Sequence, residues 1–439
     1  MFFKPRKSGK LFRGFIVLTI ALLVLAGCSP SKPTSSGGSQ ASGDNKEKVL
    51  KVGILGPFTG PASRVGEEFK NATTLAFEQV GNKIGDYKIE IKWIDSQSDA
   101  QKAALAYEQA VVKDKIDVGF MDWHSWVSVS VMDIAAKYKI PHFFSFGATS
   151  EVNQKYKADP NKYVYWMGKA WPTANKLSIG YVKTIDEAVQ RGDWKPANKK
   201  VAIYGVDNDW GRDFGASLGQ QFKDAGWEIV ATEWVGLGET DFYPMLNKLK
   251  SLNVSVVAGT MSDPPAVSAF IKQIREVGLK SIVVADGLGW IGEWYSLTGD
   301  ASNYVLDQIP QWTTPEAKKF AVDFKAKFGF EPGASTAGMN YDWARYFIKV
   351  LQETLKDYGS LTRENIFNEG KEKVMTGKLT LKDGIIHKEY KYTPETWPDP
   401  VVDQEHYMFP VVQYFGGKGT VVWPDSFQET KIKIPDNLK

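Results

Sequence analysis

The chain contains 439 residues, and its 54 Lys and Arg nearly balance 51 Asp and Glu, for a formal net charge of +3. Five basic residues and no acidic residue lie in residues 1–27, so loss of that segment would lower the net charge by five, to −2, which does not favour nucleic acid as a partner. A single cysteine excludes a disulfide within the chain, and four histidines without ligand spacing argue against a metal site.

The N-terminal segment has the pattern of an export signal. Basic residues precede an apolar run over residues 11–26, which is shorter than the roughly 20 residues that a membrane-spanning helix needs. The run ends in LAGC, which resembles a bacterial lipobox and implies cleavage after Gly27 and acylation of Cys28. We therefore expect a signal peptide over 1–27, although a free cysteine behind an ordinary signal is the alternative. The following Ser-, Gly- and Pro-rich residues 28–48 predict a flexible tether.

Strands and helices alternate from residue 49 onward. The pattern predicts a strand in VLKVGILG, a helix over 63–80 and a strand in YKIEIKWIDS. Ser98 and Gln101 form a capping-box pattern for the next helix, and the strands IDVGFMD and PHFFSFG flank a helix near 127–138. This order indicates a parallel sheet covered by helices, with ligands at the carboxyl ends of the strands.

A second series follows Trp171. Its predicted strands are KKVAIYGVDND, WEIVATEWV, SVVAGTM and SIVVADG, with helices between them. Thr314 and Pro315 are an N-cap and first-turn pair that predicts a helix, and AGMNYDWARYFIKVLQETL predicts a long one. KLTLKDG and MFPVVQYF are predicted to be a late strand pair. The fold class is therefore α/β, with two lobes joined by several crossings.

Several stretches resemble one known family. GPFTGPASRVGEEF, FFSFGATSE, VAIYGVDNDWGRD and AGMNYDWARYFIKVLQ resemble the leucine/isoleucine/valine-binding family of periplasmic binding proteins, in that family's order. The resemblance covers the chain from Val49 and implies two Rossmann-like lobes with three hinge crossings, which we place near 168–173, 304–312 and 405–413. It places residues 49–170 and 310–405 in an N-terminal lobe, and 171–309 and 406–439 in a C-terminal lobe.

The same resemblance implies a ligand site between the lobes. Two strand-end segments match those that hold a ligand carboxylate, and the second lobe supplies aromatic, apolar and acidic residues, the acid being the one that receives an ammonium. The candidate ligand-binding residues are Asp122, Trp123, His124, Gly147, Ala148, Thr149, Trp171, Trp210, Met261 and Asp286.

This sequence departs from the family pattern at two places. Trp123 and His124 replace small hydroxyl residues, and Val65 stands where the first loop usually has an aromatic residue. These departures leave two kinds of solute open: a branched-chain amino acid, or an aromatic, cyclic-amide or cationic compound. The second kind would be held by a box that Asp122 and Asp286 form with four tryptophans, namely Trp123, Trp171, Trp210 and Trp290.

The resemblance implies a lipid-anchored receptor on the extracytoplasmic side of a membrane. We expect a monomer that captures a small amino-acid-like solute and delivers it to the permease and ATPase subunits of an ABC importer, without cofactor or metal. A sensory receptor that uses the same cleft is the alternative.

Two motifs in the chain are typical of enzymes. GASLG at 215–219 fits the pattern of a hydrolase elbow but lies inside a predicted helix, whereas the elbow needs a strand before the serine. GLGWIG at 287–292 follows a strand but lacks the later acidic strand end of a dinucleotide site. We therefore expect no enzymatic activity.

Overall fold

Strand–helix units repeat along the chain and build two separate β-sheets. The computed structural model describes residues 47–403 and 406–438. The predicted signal peptide, Cys28 and nearly all of the predicted tether lie outside the described residues.

The first sheet has six strands in the order β2-β3-β1-β4-β5-β6. Neighbouring strands are parallel except for β2 and β3, and β1 and β3 pair along nine residues, from Lys48 with Tyr87 to Gly56 with Asp95. The strands are β1 (Lys48–Gly56), β2 (Lys83–Ile84), β3 (Tyr87–Asp95), β4 (Val118–Phe120), β5 (His142–Ser145) and β6 (Trp166–Lys169).

The second sheet has seven strands in the order β13-β12-β11-β10-β9-β7-β8. It is parallel from β11 to β8, and β12 is antiparallel to both of its neighbours. The strands are β7 (Lys200–Val206), β8 (Glu228–Val235), β9 (Val256–Thr260), β10 (Ile282–Asp286), β11 (Leu306–Gln308), β12 (Val411–Phe415) and β13 (Lys418–Trp423).

Helices connect the parallel strands, as crossovers between parallel strands require. They are α1 (Ser63–Gln79), α2 (Ala100–Gln109), α3 (Ser125–Tyr138), α4 (Ser150–Ala158), α5 (Pro160–Tyr163), α6 (Ala174–Gln190), α7 (Asp209–Asp224), α8 (Tyr243–Ser251), α9 (Pro264–Val277), α10 (Trp294–Thr298), α11 (Pro315–Phe328), α12 (Met339–Tyr358) and α13 (Arg363–Glu369). In the part of the chain that the structure describes, no helix is both long and apolar enough to span a membrane.

Local signals fix the ends of several helices. α11 begins as predicted: the Thr314 side chain accepts a hydrogen bond from the backbone N–H of Ala317, and Pro315 occupies the first turn. The helix ends at Gly329, whose φ of +86° is a backbone conformation that glycine adopts without strain.

The structure corrects two local predictions. Asp99, not Ser98, caps α2, because the Asp99 carboxylate accepts the backbone N–H of Lys102. KLTLKDG forms no strand, only a single bridge between Leu381 and Tyr390, and the antiparallel partner of β12 is the later segment β13. The prediction of a strand pair was therefore wrong for KLTLKDG.

The chain passes between the sheets three times, as predicted, in the segments 170–173, 309–314 and, among the described residues, 399–403 with 406–410. The helices α11 to α13 return to the first sheet, where α12 packs against α1. We call β1–β6, α1–α5 and α11–α13 lobe 1, and α6–α10 with β7–β13 lobe 2. The predicted α/β class with two parallel-sheet lobes is confirmed.

A buried ion pair lies beside the first crossing. Lys169, at the end of β6, lies 3.0 Å from Asp399, and both side chains are almost completely inaccessible. The Asp399 carboxylate also accepts hydrogen bonds from Asn153 on α4, from Thr173 at the start of α6 and from Lys176. One carboxylate thus joins β6, α4 and the first turn of α6 to the third crossing.

Candidate functional site

A cavity lies between the two lobes where the parallel strands end. The free space between the lining side chains is about 320 Å³, part of it open to solvent, and about 30 Å³ of it admits the centre of a water molecule. The residues that line it are Trp123, His124, Ser125, Trp126, Phe146, Ala148, Trp171, Trp210, Ser262 and Trp290.

Each lining residue follows the carboxyl end of a strand. Those of lobe 1 follow β4 and β5, Trp171 follows β6 in the first crossing, and those of lobe 2 follow β7, β9 and β10. Parallel strands place their carboxyl ends on the same edge, which is where open α/β sheets bind ligands. The carboxyl-terminal edges of the two sheets, where the sequence predicted a ligand, therefore face each other.

Three tryptophans form perpendicular walls. The ring centroids of Trp123 and Trp290 lie 5.0 Å apart at an interplanar angle of 88°, and this contact joins lobe 1 to lobe 2. Trp171 lies 6.2 Å from each of them in similar edge-to-face arrangements. Such offset geometry is favoured by the quadrupoles of aromatic rings. Three of the four tryptophans of the predicted box are thus in mutual contact, and the fourth, Trp210, lines the same cavity.

The N-terminus of α3 borders the cavity. His124 is the N-cap residue, but no side chain of the described residues caps this 14-residue helix. Both ring nitrogens of His124 are buried without a hydrogen-bond partner in the described chain, and burial lowers the pKa of His124 to about 3. The imidazole is therefore neutral, with one N–H to donate and one nitrogen to accept.

Asp122 lies beneath the cavity and does not line it. Its two carboxylate oxygens accept hydrogen bonds from Ser128 and Ser145, and Ser145 accepts the backbone N–H of Gly147. Burial raises the pKa of Asp122 to about 6 although these hydroxyls oppose the shift. Asp122 thus orients the turn that carries Phe146 and the other residues after β5, without contact with the cavity.

Asp286 also lies outside the lining. Its carboxylate accepts the hydroxyls of Tyr181 at 2.8 Å and Thr260 at 3.0 Å, and Thr260 in turn accepts the indole N–H of Trp210. Burial and the nearby Asp307 carboxylate raise the pKa of Asp286 well above its usual range. Its two oxygens are occupied within lobe 2, so the structure places it behind Trp210 and not against the ligand space.

Asp307 holds the loop that carries Trp290. Its two oxygens accept the backbone N–H groups of Gly287 and Gly289, and the Tyr414 hydroxyl donates to the same carboxylate. GLGWIG is therefore a cavity-lining loop fixed by a carboxylate from the neighbouring strand β11.

Of the predicted site residues, five line the cavity and five do not. The first group is Trp123, His124, Ala148, Trp171 and Trp210. Asp122, Gly147, Thr149, Met261 and Asp286 are buried next to it, where Thr149 caps α4 and Gly147 lies against Ser128. The lining also includes Trp126 and Phe146, which the sequence did not single out. Their position directly after a predicted strand was the signal that could have indicated them.

The enzyme-like GASLG motif lies within α7, as the sequence predicted, and not at a strand–helix turn. Among residues 47–403 and 406–438, no cluster of three or more His, Cys, Asp or Glu side chains could hold a metal ion.

Polar contacts join the lobes around the cavity. Ser150, the first residue of α4, donates its backbone N–H and its hydroxyl to the Asp213 carboxylate on α7, each at 2.8 Å. Arg64 on α1 lies 2.7 Å from Glu293. The Thr336 hydroxyl of lobe 1 donates to the backbone carbonyl of Trp290 at 2.7 Å. These contacts hold the lobes together independently of the aromatic walls.

Known proteins are similar to this chain in sequence. A family model described as periplasmic binding protein matches residues 49–379. The Leu/Ile/Val-binding protein homolog 6 of Brucella suis is 29% identical over 236 residues, which are 53% of this chain and 56% of that relative, so the match spans about half of its length. Homolog 7 of the same organism is 23% identical over 436 residues, which are 96% of this chain and 98% of that relative.

Solved structures show the same fold. A putative branched-chain amino acid ABC transporter protein from Silicibacter pomeroyi has a TM-score of 0.70 at 16% identity, covering 89% of this chain and 100% of that chain. A solute binding protein from Rhodopseudomonas palustris, in complex with 3,4-dihydroxybenzoic acid, has a TM-score of 0.68 at 22% identity, covering 83% and 93%. A branched-chain amino acid substrate binding protein from Streptococcus pneumoniae, in complex with isoleucine, has a TM-score of 0.66 at 18% identity, covering 85% and 98%. With its two parallel-sheet lobes, three crossings and matched residues 49–379, the chain belongs to the periplasmic binding protein family and has the type I fold.

Proposed function

We propose that this protein captures a small organic solute between its lobes and delivers it to an ABC importer. The observation that carries the proposal is the cavity whose lining comes from strand ends of both lobes. A solute in this position contacts both lobes only when they are closed, so its binding free energy favours the closed state.

The names of similar proteins support a small solute. One structural neighbour is in complex with 3,4-dihydroxybenzoic acid and another with isoleucine. A small organic solute of this kind is therefore the proposed cargo.

A defined set of polar contacts between the lobes would form on closure and break on opening. Ser150 with Asp213, and Arg64 with Glu293, join the lobes at positions away from the cavity. In the proposed cycle these polar contacts stabilise the closed form that the permease recognises. The protein itself performs no chemistry, and the ATPase subunits of the importer drive transport.

The proposed location is the outer side of a membrane. Residues 1–27 are removed, Cys28 carries the lipid, and residues 28–48 connect the anchor to a monomeric two-lobed body. Cells that express Cys28→Ser should release the protein from the membrane fraction, whereas the unaltered protein should remain there. Retention of the variant in washed membranes would contradict the lipid anchor.

The capture function is tested by calorimetry on the lipid-free Cys28→Ser protein with a panel of small acids, amino acids, amides and amines. We expect at least one solute to raise the melting temperature and to lower the radius of gyration in X-ray scattering. A solute at a hundredfold excess over Kd adds about 2.7 kcal/mol of stability. A solute that binds without any change in the radius of gyration would contradict capture by closure. Uptake of the bound solute by cells should also depend on the gene for this protein.

A further inference from the structure

The lining of the cavity contains no charged side chain. Among its ten residues, six are aromatic tryptophan or phenylalanine, and none is Asp, Glu, Lys or Arg. Asp122 and Asp286, the two carboxylates that the family resemblance placed at the ligand, direct their oxygens to hydroxyls inside their own lobes. An ammonium group in the cavity would therefore find no carboxylate among the lining residues.

The polar groups of the lining are mainly hydrogen-bond donors. The indole nitrogens of Trp171 and Trp290 are buried without a partner in the described chain, and an indole N–H can only donate. The hydroxyl of Ser262 and both ring nitrogens of His124 are also buried and unpartnered there. Buried donors without partners cost free energy, so these groups indicate a ligand that accepts hydrogen bonds.

A helix terminus adds positive potential on the same side. His124, Ser125 and Trp126 form the start of α3, and its first turn has no side-chain cap among the described residues. The free N–H groups and the dipole of a helix N-terminus favour an anion. Besides the helix terminus, this position has the unpartnered imidazole of His124, which is 2% exposed.

The remaining walls suit a flat apolar body. Trp123, Trp171 and Trp290 are mutually perpendicular within 5.0 to 6.2 Å, and Phe146 lies 5.9 Å from Trp123. The space between these walls holds about two water molecules, so a flat ring fits only when the aromatic walls move apart.

We infer that the solute is a small carboxylic acid with a flat apolar body and no ammonium group, held by the indole N–H groups of Trp171 and Trp290, by His124 and by the start of α3. This inference rests on the proposed capture function and specifies its substrate class. It departs from the amino-acid-like solute that the sequence indicated, because Asp286 is occupied within lobe 2.

The charge requirement is tested with pairs of probes that differ in one group. Isothermal calorimetry compares 3-phenylpropanoate with phenylalanine, 4-methylpentanoate with leucine, and benzoate with methyl benzoate and benzylamine. We expect benzoate or 3-phenylpropanoate to bind, at least about tenfold more tightly than its ester, amine or amino counterpart, and more tightly than 4-methylpentanoate, whose body is not flat. An amino acid that binds as tightly as its acid, or an ester as tightly as benzoate, would overturn the inference.

Failure of this inference is distinguishable from failure of the proposed function. If none of the acids binds at millimolar concentration but another solute lowers the radius of gyration, the substrate class is wrong and capture by closure stands. If a solute binds without closure, the capture mechanism is wrong, whatever its class.

The donors are tested with matched tryptophan variants. Trp290→Phe and Trp171→Phe each remove one indole N–H from a residue that lines the cavity. The control is Trp227→Phe in lobe 2, which also removes a buried, unpartnered indole N–H; the ring of Trp227 stacks on Trp194. Each of the two cavity variants loses a hydrogen bond to the charged carboxylate, so each should bind the acid about tenfold or more weakly than the unaltered protein does. Trp227→Phe should bind as the unaltered protein does. Unchanged affinity in both cavity variants, each folded by thermal melting, would overturn the role of these donors.

Discussion

The ammonium of Lys169 and the carboxylate of Asp399 lie 3.0 Å apart in a site that water does not reach, beside the passage from lobe 1 to lobe 2. Burial alone would raise the pKa of Asp399, but Lys169 and Lys176 outweigh it and hold the pKa at about 2. The Asp399 carboxylate is therefore ionised throughout the physiological pH range, whereas burial lowers the pKa of Lys169 against the opposing charge of Asp399. It connects the end of β6 to the third crossing, so its loss should lower the stability of the whole protein.

Asp399→Asn should lower the free energy of unfolding by about 3–5 kcal/mol, because it leaves Lys169 buried without its counter-charge. Urea unfolding measures this loss. The matched control is Asp323→Asn, which breaks the exposed pair with Lys319 and should cost less than about 1 kcal/mol. Equal, small losses in the two variants would show that the buried pair contributes little.

The contribution of Glu68 to the stability of the protein should fall as the pH rises from about 5 to 8. Burial raises the pKa of Glu68 from its ordinary value of 4.5 to about 7, although Thr336, Arg64 and the backbone N–H groups of Gly333 and Ala337 oppose the shift. The folded protein thus binds more protons than the unfolded chain between these two values, and ionisation destabilises it.

Glu68→Gln should remove this contribution, so that the variant loses less stability, or gains more, than the unaltered protein as the pH rises. The shift corresponds to about 3 kcal/mol between pH 4 and pH 8, since one pKa unit is about 1.4 kcal/mol. Urea unfolding at both pH values, in the unaltered protein and in the variant, measures the difference. An identical slope in the two proteins would contradict the raised pKa of Glu68.

Gly147→Ala should destabilise the protein and weaken solute binding together. A Cβ at residue 147 would overlap the Ser128 hydroxyl, which donates to Asp122 and positions the turn after β5. The control is Gly219→Ala in α7, where the nearest atom to an added Cβ is 3.8 Å away on Ile203, and where alanine should stabilise the helix by about 0.5–1 kcal/mol. Thermal melting and calorimetry measure both effects, and normal binding by Gly147→Ala would contradict the role of this turn.

Asp213→Ala should weaken solute binding without unfolding either lobe. The change removes both hydrogen bonds from Ser150, which exist only when the lobes are in contact. We expect about a tenfold rise in Kd, since hydrogen bonds to charged groups contribute about 1.5–3 kcal/mol. The control is Asp224→Ala on the same helix. Among the described residues, Asp224 accepts a hydrogen bond only from the exposed Gln220. Equal affinities in the two variants would exclude a closure role for Asp213.

The sequence predicted the fold well because its signals are local. The alternation of apolar strands and amphipathic helices requires only short stretches of chain, and the start of α11 followed from Thr314 and Pro315 alone. KLTLKDG was misassigned because its alternating pattern fits a strand, whereas tertiary contacts provide it with one bridging partner, Tyr390.

The position of the site was predictable, but its polar chemistry was not. Strand ends meet at one edge by topology, and the family resemblance indicated Trp123, Trp171 and Trp210 as candidates near a ligand space before the structure was known. The environment of Asp286 depends on Tyr181 from α6 and Thr260 from β9, which are distant in sequence. The sequence around a carboxylate does not show whether distant residues such as these donate hydrogen bonds to both of its oxygens.

The edge-to-face contact of Trp123 with Trp290 provides an intrinsic optical signal for the motion of the lobes. Both indoles are at least nine-tenths buried, and each belongs to a different lobe, so separation of the lobes would expose them to water together. Water relaxes around an excited indole and moves its fluorescence to longer wavelength. The difference spectrum between the unaltered protein and Trp123→Phe would therefore report opening in real time, without an attached dye.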